Sequence, residues 1–209
     1  MRPTHASEFS RHLRSAPGPG RACGLWRGLR HIALVWIVFA SIGAQAQASR
    51  PTDYQVKAAY LYNFSRFVEW PAKGTTVKDD SFTICVLGQD PFGATLDNIL
   101  TGETVGSRSV AARRVTSAQE LAGCQILFVS SSEESRLGKV MESLNKAAVL
   151  TVSDMPQFSQ RGGMIQFVLE GNRVRFEVNL VAAQNAGLAL SSELLKVATV
   201  VRRNLPPGN

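Results

Sequence analysis

Segments of strand length alternate with helix-patterned segments through the middle of this chain, and that alternation limits the fold more than any other feature. Residues 82–87, FTICVL, are apolar without a break. Asp90-Pro91 then opens a helix running to Leu100, with aspartate as cap and proline at the first helical position. Residues 108–115 read as a second strand, and a short helix over 117–121 leads to a third at 125–130. The spacing of Leu137, Val140, Met141 and Leu144 predicts a helix over 133–145, and residues 148–152 a fourth strand. Strands apolar on both faces and separated by helices predict an α/β fold. It has a mostly parallel central sheet with helices on both sides, three layers in all. The ends differ from this middle. Residues 54–68 read as a helix capped by Asp53 and stopped by Pro71, with Val56, Tyr60, Phe64 and Phe67 as its apolar face. Residues 164–169 and 173–178, joined through Glu170-Gly171-Asn172, read as a hairpin. Residues 191–201 read as a closing helix with Leu194, Leu195, Ala198 and Val201 apolar.

Residues 1–48 do not fit this pattern. An apolar run from Ile32 to Ile42 follows an arginine-rich stretch and ends in Ala44-Gln45-Ala46 and Ala46-Gln47-Ala48. That is the layout of a secretory signal peptide, too short to span a bilayer, which takes about 20 apolar residues. We expect cleavage after Ala46 or Ala48. Residues 49–209 then form one exported α/β domain that does not insert in the membrane, with a frayed Pro/Gly tail over 206–209. The leader holds six of the 23 basic and one of the 16 acidic side chains, leaving 17 against 15. The strong positive charge therefore goes with the leader, and no basic, aromatic-interleaved patch remains to bind nucleic acid.

His5, His12 and His31 all fall in the leader. A chain without histidine has no base for a Ser-His or Cys-His nucleophile, and catalytic zinc sites almost always use histidine. We expect neither catalysis, nor metal, nor cofactor. Cys85 and Cys124 remain. In an oxidising compartment two such cysteines commonly pair; the alternative is two buried thiols. Cys85 lies in the first expected strand and Cys124 just before the third, which are commonly neighbours in a doubly wound sheet, so a bridge agrees with the topology.

Three local patterns bear on function. Gly88-Gln89-Asp90-Pro91-Phe92-Gly93 has the glycine spacing of a phosphate loop but lacks the Lys-Ser/Thr that follows it; it reads as a ligand loop or as a plain strand-to-helix turn. Ser143-Leu144-Asn145-Lys146 matches S-x-x-K without the partner K-T-G element. Gly162-Gly163 allows close backbone approach just before a strand. In the last strand Arg173, Arg175, Glu177 and Asn179 alternate with apolar residues, which puts them on one face. That face is either simply solvated or a recognition surface.

Several ordered stretches carry a family resemblance. They include QVKAAYLYNF at 55–64 with FVEWP at 67–71, ICVLG at 84–88 with DPFG at 90–93, and CQILF at 124–128. LTVSD at 150–154 with Phe158, GGMI at 162–165, VRFEVN at 174–179, and the end from Ala186 through Leu195 complete the set. Together they resemble the YfiR family of periplasmic proteins over nearly all of residues 53–203. The resemblance implies a periplasmic repressor of an inner-membrane diguanylate cyclase. Such a protein binds the cyclase's periplasmic sensing domain, holds down cyclic-di-GMP synthesis and so biofilm formation, and can be sequestered by an OmpA-like outer-membrane lipoprotein. It further implies a homodimer and a redox-sensitive disulfide at the positions of Cys85 and Cys124; a second cysteine pair found in some members is lacking here.

These readings set the expectations. The partner surface is expected at Arg175, Glu177 and Asn179, with Phe158 beside them and Trp70 at the end of the first helix. The alternative function is a periplasmic module binding a nucleotide or an amino acid, with Gly88, Asp90 and Gly93 at the carboxyl ends of the strands, where open α/β sheets hold ligands.

Overall fold

The computed structural model describes residues 51–71, 81–145 and 147–203. The expected leader, Lys146 and the tail lie outside the described residues.

Helix α1, Asp53–Phe67, starts one residue earlier than the pattern suggests. Its cap is Thr52, not Asp53. The Thr52 hydroxyl accepts from the Gln55 amide while the Gln55 side chain takes the Thr52 amide at 2.7 Å, a reciprocal capping box. Its buried side is set by Ala58, Leu61, Phe64 and Ser65. Small side chains at 58 and 65 let the helix lie close on the sheet, so the apolar stripe is rotated and Phe67 is left 39% exposed. The helix ends before Pro71 is reached, because Val68 turns extended and begins β1, Val68–Glu69.

β2, Ser81–Leu87, follows as expected. α2 is Ala94–Leu100. The Asp90-Pro91 start is displaced: the Asp90 carboxylate takes the Phe92 amide at 2.8 Å in a local turn, and Gly93 sits at φ 53°, which no right-handed helix contains. The helix therefore opens after Gly93. β3, Thr104–Val105, pairs with β4, Arg108–Val115. A 3-10 turn at Ala118–Leu121 leads to β5, Ile126–Val129, and a second one at Ser131–Arg136 leads into α3, Leu137–Ser143. β6, Leu150–Ser153, is followed by β7, Ile165–Glu170, and β8, Arg173–Asn179. The hairpin turns through Gly171 and Asn172, both at positive φ, the pattern whose twist matches two-residue hairpins. Then come α4, Leu180–Asn185, β9, Ala189–Leu190, α5, Ser192–Val197, and β10, Val200–Arg202.

The expected closing helix is thus cut short. Ala198 turns extended, and β-branched Thr199, Val200 and Val201 continue as a strand parallel to β8, with the Thr199 amide on the Phe176 carbonyl. The eight-stranded sheet has the order β10-β8-β7-β6-β5-β2-β4-β3; β4, β2, β5, β6 and β7 run parallel, while β7–β8 and β3–β4 are antiparallel. β1 and β9 form a separate two-stranded ribbon.

Alternation along the strands divides the core in two. Phe82, Ile84, Val86, Ile126, Phe128, Val152, Ile165, Phe176 and Val178 form one cluster with α1 and α2. Cys85, Leu87, Leu127 and Val129 face the other way, under Leu137, Val140, Met155 and Phe158. Helices on one side and α3 with the 155–158 segment on the other give the three layers anticipated.

Candidate functional site

On the second face, β7 and β8 present polar side chains where β2 and β5 present apolar ones. The segment between β6 and β7 folds over them and buries Ser159 completely. The Ser159 hydroxyl donates to a Glu177 carboxylate oxygen at 2.8 Å and accepts from the Arg202 guanidinium at 3.3 Å. Its amide donates to the Gln166 side-chain oxygen at 3.1 Å. Arg202 also reaches Glu177 directly at 3.2 Å. Asn179 donates to the Ser159 carbonyl at 2.8 Å, and its oxygen takes the Ala182 amide at 3.0 Å, capping α4. Strand β10 supplies Arg202, so the cluster depends on the strand the sequence pattern does not reveal. A hollow of about 370 Å³ opens beside it, lined by Ser159, Gln160, Asn179 and residues 200–203.

Period 2 does put Arg175, Glu177 and Asn179 on one face, but their environments differ. Arg173 and Arg175 are exposed. Glu177 is turned onto Ser159 and Arg202, and Asn179 is buried. Phe158 is fully buried in the second core and offers no surface. Trp70 packs edge-on against Phe82 at 5.1 Å and donates to the Gln125 carbonyl at 3.3 Å. That places it at the amino ends of β2 and β5, on the first face, whereas Arg175 pairs with Val168 beyond the carboxyl ends. The five residues do not come together as one surface.

The carboxyl-end crevice is filled by the chain itself. A Cβ on Gly88 would meet the Ser132 hydroxyl at 2.5 Å and the Glu133 side chain at 2.8 Å, so glycine is needed for this close approach. Glu133 is buried and paired with Arg136 at 2.7 Å. Arg114 binds Asp90 at 2.9 Å, Asp97 at 2.6 Å and the Gly93 carbonyl at 2.8 Å, and that hydrogen bonding holds the Asp97 carboxyl below its usual range. Gly88, Asp90 and Gly93 thus lie in a strand-to-helix turn tied by Arg114, by the Phe92 amide on Asp90 and by the Gly88 amide on the Val115 carbonyl.

A neighbouring cluster went unread in the sequence. Asp154, at the end of β6, accepts from Lys57 at 2.7 Å and from the Tyr54 hydroxyl at 3.0 Å, with Lys57 4.2 Å from the Tyr54 ring centre. It fastens α1 to the sheet. Burial first, then the Asp154 charge and hydrogen bond, push the Tyr54 phenol up to about 12. The folded state thus keeps the proton more tightly than the unfolded chain does. The stabilisation is complete below pH about 10 and lost as pH rises through about 12. Ultraviolet titration should show a late phenolate transition that Tyr54→Phe removes, and the loss of stability between pH about 10 and about 12 should be shallower in the variant.

Cys85 and Cys124 form a disulfide, with Cα atoms 5.8 Å apart, between β2 and the segment entering β5. Arg113, on the neighbouring strand, donates to Cys124 Sγ at 3.1 Å and to the carbonyls of Glu120 and Ala122 at 3.0 and 2.6 Å. Among the described residues no group of three or more His, Cys, Asp or Glu could hold a metal ion, and no helix is long and apolar enough to cross a membrane.

Residues 54–199 match the DUF4154 family, described as YfiR/HmsC-like. Among solved structures the chain is similar to an ABC domain from Streptococcus pneumoniae in complex with L-Trp. That match has 14% identity, a TM-score of 0.44, and covers 57% of this chain and 55% of that one. It is also similar to a conserved domain protein from Vibrio cholerae, at 10% identity and a TM-score of 0.48, over 74% of this chain and 62% of that one. The chain spans less than two thirds of the length of either structure.

Proposed function

The chain belongs to the YfiR/HmsC-like family, and from that premise we propose that it is a non-catalytic periplasmic regulator that binds and represses the periplasmic sensing domain of an inner-membrane diguanylate cyclase. The observation that carries this reading is the family match over residues 54–199. A disulfide held inside the sheet supports an oxidising compartment. A repressor of this kind works by binding one state of the sensor better than the other, since equal affinity for both shifts nothing. Cyclic-di-GMP synthesis then falls with no chemistry at the contact. An OmpA-like lipoprotein would relieve repression by competing for the same chain, and a homodimer is the assembly proposed for it.

For the contact we propose the outer end of the β7–β8 hairpin, where Arg173 and Arg175 stand exposed beside Leu169, itself 58% exposed. Exposed charge at an interface rim acts mainly on the association rate. Arg175→Glu should therefore slow capture of the cyclase's periplasmic domain about tenfold at low salt, with the gap narrowing as salt rises. Binding kinetics on the immobilised domain measure it. Equal rates for variant and wild type would remove this hairpin from the contact. Glu177→Arg is the poorer probe, because it strips Ser159 and Arg202 of their common acceptor and alters the fold as well as the surface.

A further inference from the structure

A different part of the molecule, not used by the repressor reading, has the chemistry of a ligand site. α1 turns Tyr60, Asn63 and Phe67 toward Glu193, Leu194 and Val197 of α5 across a groove of about 420 Å³, with Phe64 and Phe176 below. Three of its four aromatic groups, Tyr60 and the buried Phe64 and Phe176, form one connected cluster. Tyr60 lies 5.5 Å from Phe176 and 5.9 Å from Phe64, and Phe64 lies 5.3 Å from Phe176. Phe67, 39% exposed, and Val197, 57% exposed, are two of the four large apolar side chains most open to solvent among the described residues, and both face this groove. The one charged group in the lining is the Glu193 carboxylate. Hydrogen bonds from its own backbone and from Ser192 hold it below the usual carboxylate range, so it is ionised at neutral pH. No cationic side chain among the described residues pairs with it.

We infer that this groove binds a small organic cation with an apolar body, of the quaternary-ammonium type. The faces of aromatic rings attract a cation over them, and a carboxylate at the mouth adds to that attraction. Leu194, Val197 and Phe67 supply apolar contact that a bare metal ion or ammonium could not use. An anionic ligand would meet the negative charge of Glu193 with nothing positive in the lining to offset it. The groove therefore selects by charge sign and by apolar bulk together.

The test is calorimetric titration of the purified chain with benzyltrimethylammonium and with its uncharged carbon isostere, neopentylbenzene, in one co-solvent. Glu193→Gln and Phe67→Ala both replace solvent-exposed side chains, and circular dichroism checks that each variant folds. The cation should bind at least about fivefold more tightly than the isostere. Glu193→Gln should weaken the cation about fivefold and leave the isostere unchanged, while Phe67→Ala should weaken both. Three results would overturn the inference: no binding of the cation up to roughly 10 mM, equal affinity for cation and isostere, or an unchanged cation affinity in Glu193→Gln. Sedimentation gives the fourth. A dimer that Val197→Lys dissociates would make the groove an interface between copies instead.

Discussion

Reduction of the Cys85–Cys124 bridge lowers the unfolding free energy by about 4 kcal/mol. The bond closes a loop of 39 residues, for which the chain-entropy account gives about that value. Native contacts survive its removal. β2 and β5 stay paired, and Gln125 still bonds Thr83 through both its amide, at 3.0 Å, and its side chain, at 2.6 Å. Arg113 still holds the carbonyls of Glu120 and Ala122. The effect therefore falls mainly on the unfolded ensemble, which becomes more expanded. Urea unfolding should show a lower midpoint together with a steeper slope, the mark of a larger unfolded chain. The midpoint of thermal unfolding should fall by roughly 8–16 °C. The double variant Cys85→Ala, Cys124→Ala should behave like the reduced protein, with an added cost for the volume lost in the second core. An unchanged midpoint in reductant, with two thiols titrated, would contradict this account. Under the proposed function the consequence is direct: reductant that weakens the fold also weakens the hold on the cyclase.

The sequence pattern reads the middle of the molecule well because there β2, β5 and β6 are buried on both faces and helical turns follow the strands closely. β2, β5 and β6 fall where apolar continuity puts them, and the two cysteines meet because β2 and β5 are neighbours. The hairpin is legible from Gly171-Asn172, since few other residue pairs suit two consecutive positive φ values. What fails depends on long-range geometry. The repeat of Leu194, Leu195, Ala198 and Val201 fits a helix, yet the free edge of β8 draws 200–202 into the sheet. Missing that strand means missing Arg202, and with it the reason Glu177 points inward. Phe158 and Trp70 are aromatic residues in loops, and no local pattern says whether such a ring meets solvent or core. Here the fold buries the first and lays the second on Phe82. Asp90-Pro91 carries good helix-start chemistry, overruled by Gly93 at φ 53° and by the Arg114 clamp.

Gly163→Ala should destabilise the fold by about 3 kcal/mol, at the upper end of what overpacking costs. A Cβ at this position would sit 2.1, 2.2 and 2.6 Å from three carbons of the Phe158 ring. The ring cannot step aside. It is fully buried in the second core with Leu87, Leu137 and Met155 among its cluster, and the Gly163 amide is tied to the Phe158 carbonyl at 2.9 Å. Relief must come from moving the 155–163 segment itself, which carries Ser159 and so draws on Glu177, Asn179 and Arg202. The second glycine of the pair is therefore a packing requirement. Gly162, with only the Met141 methyl at 3.9 Å beside its would-be Cβ, has the space but sits at φ 97°. A double-mutant cycle separates the clash from any backbone effect. Phe158→Ala alone should cost about 3–5 kcal/mol for the cavity it leaves. Adding Gly163→Ala to it should cost little more, giving a coupling of roughly 2–3 kcal/mol between the two sites. Strict additivity would mean that the glycine serves its own backbone conformation and that the ring above it is incidental.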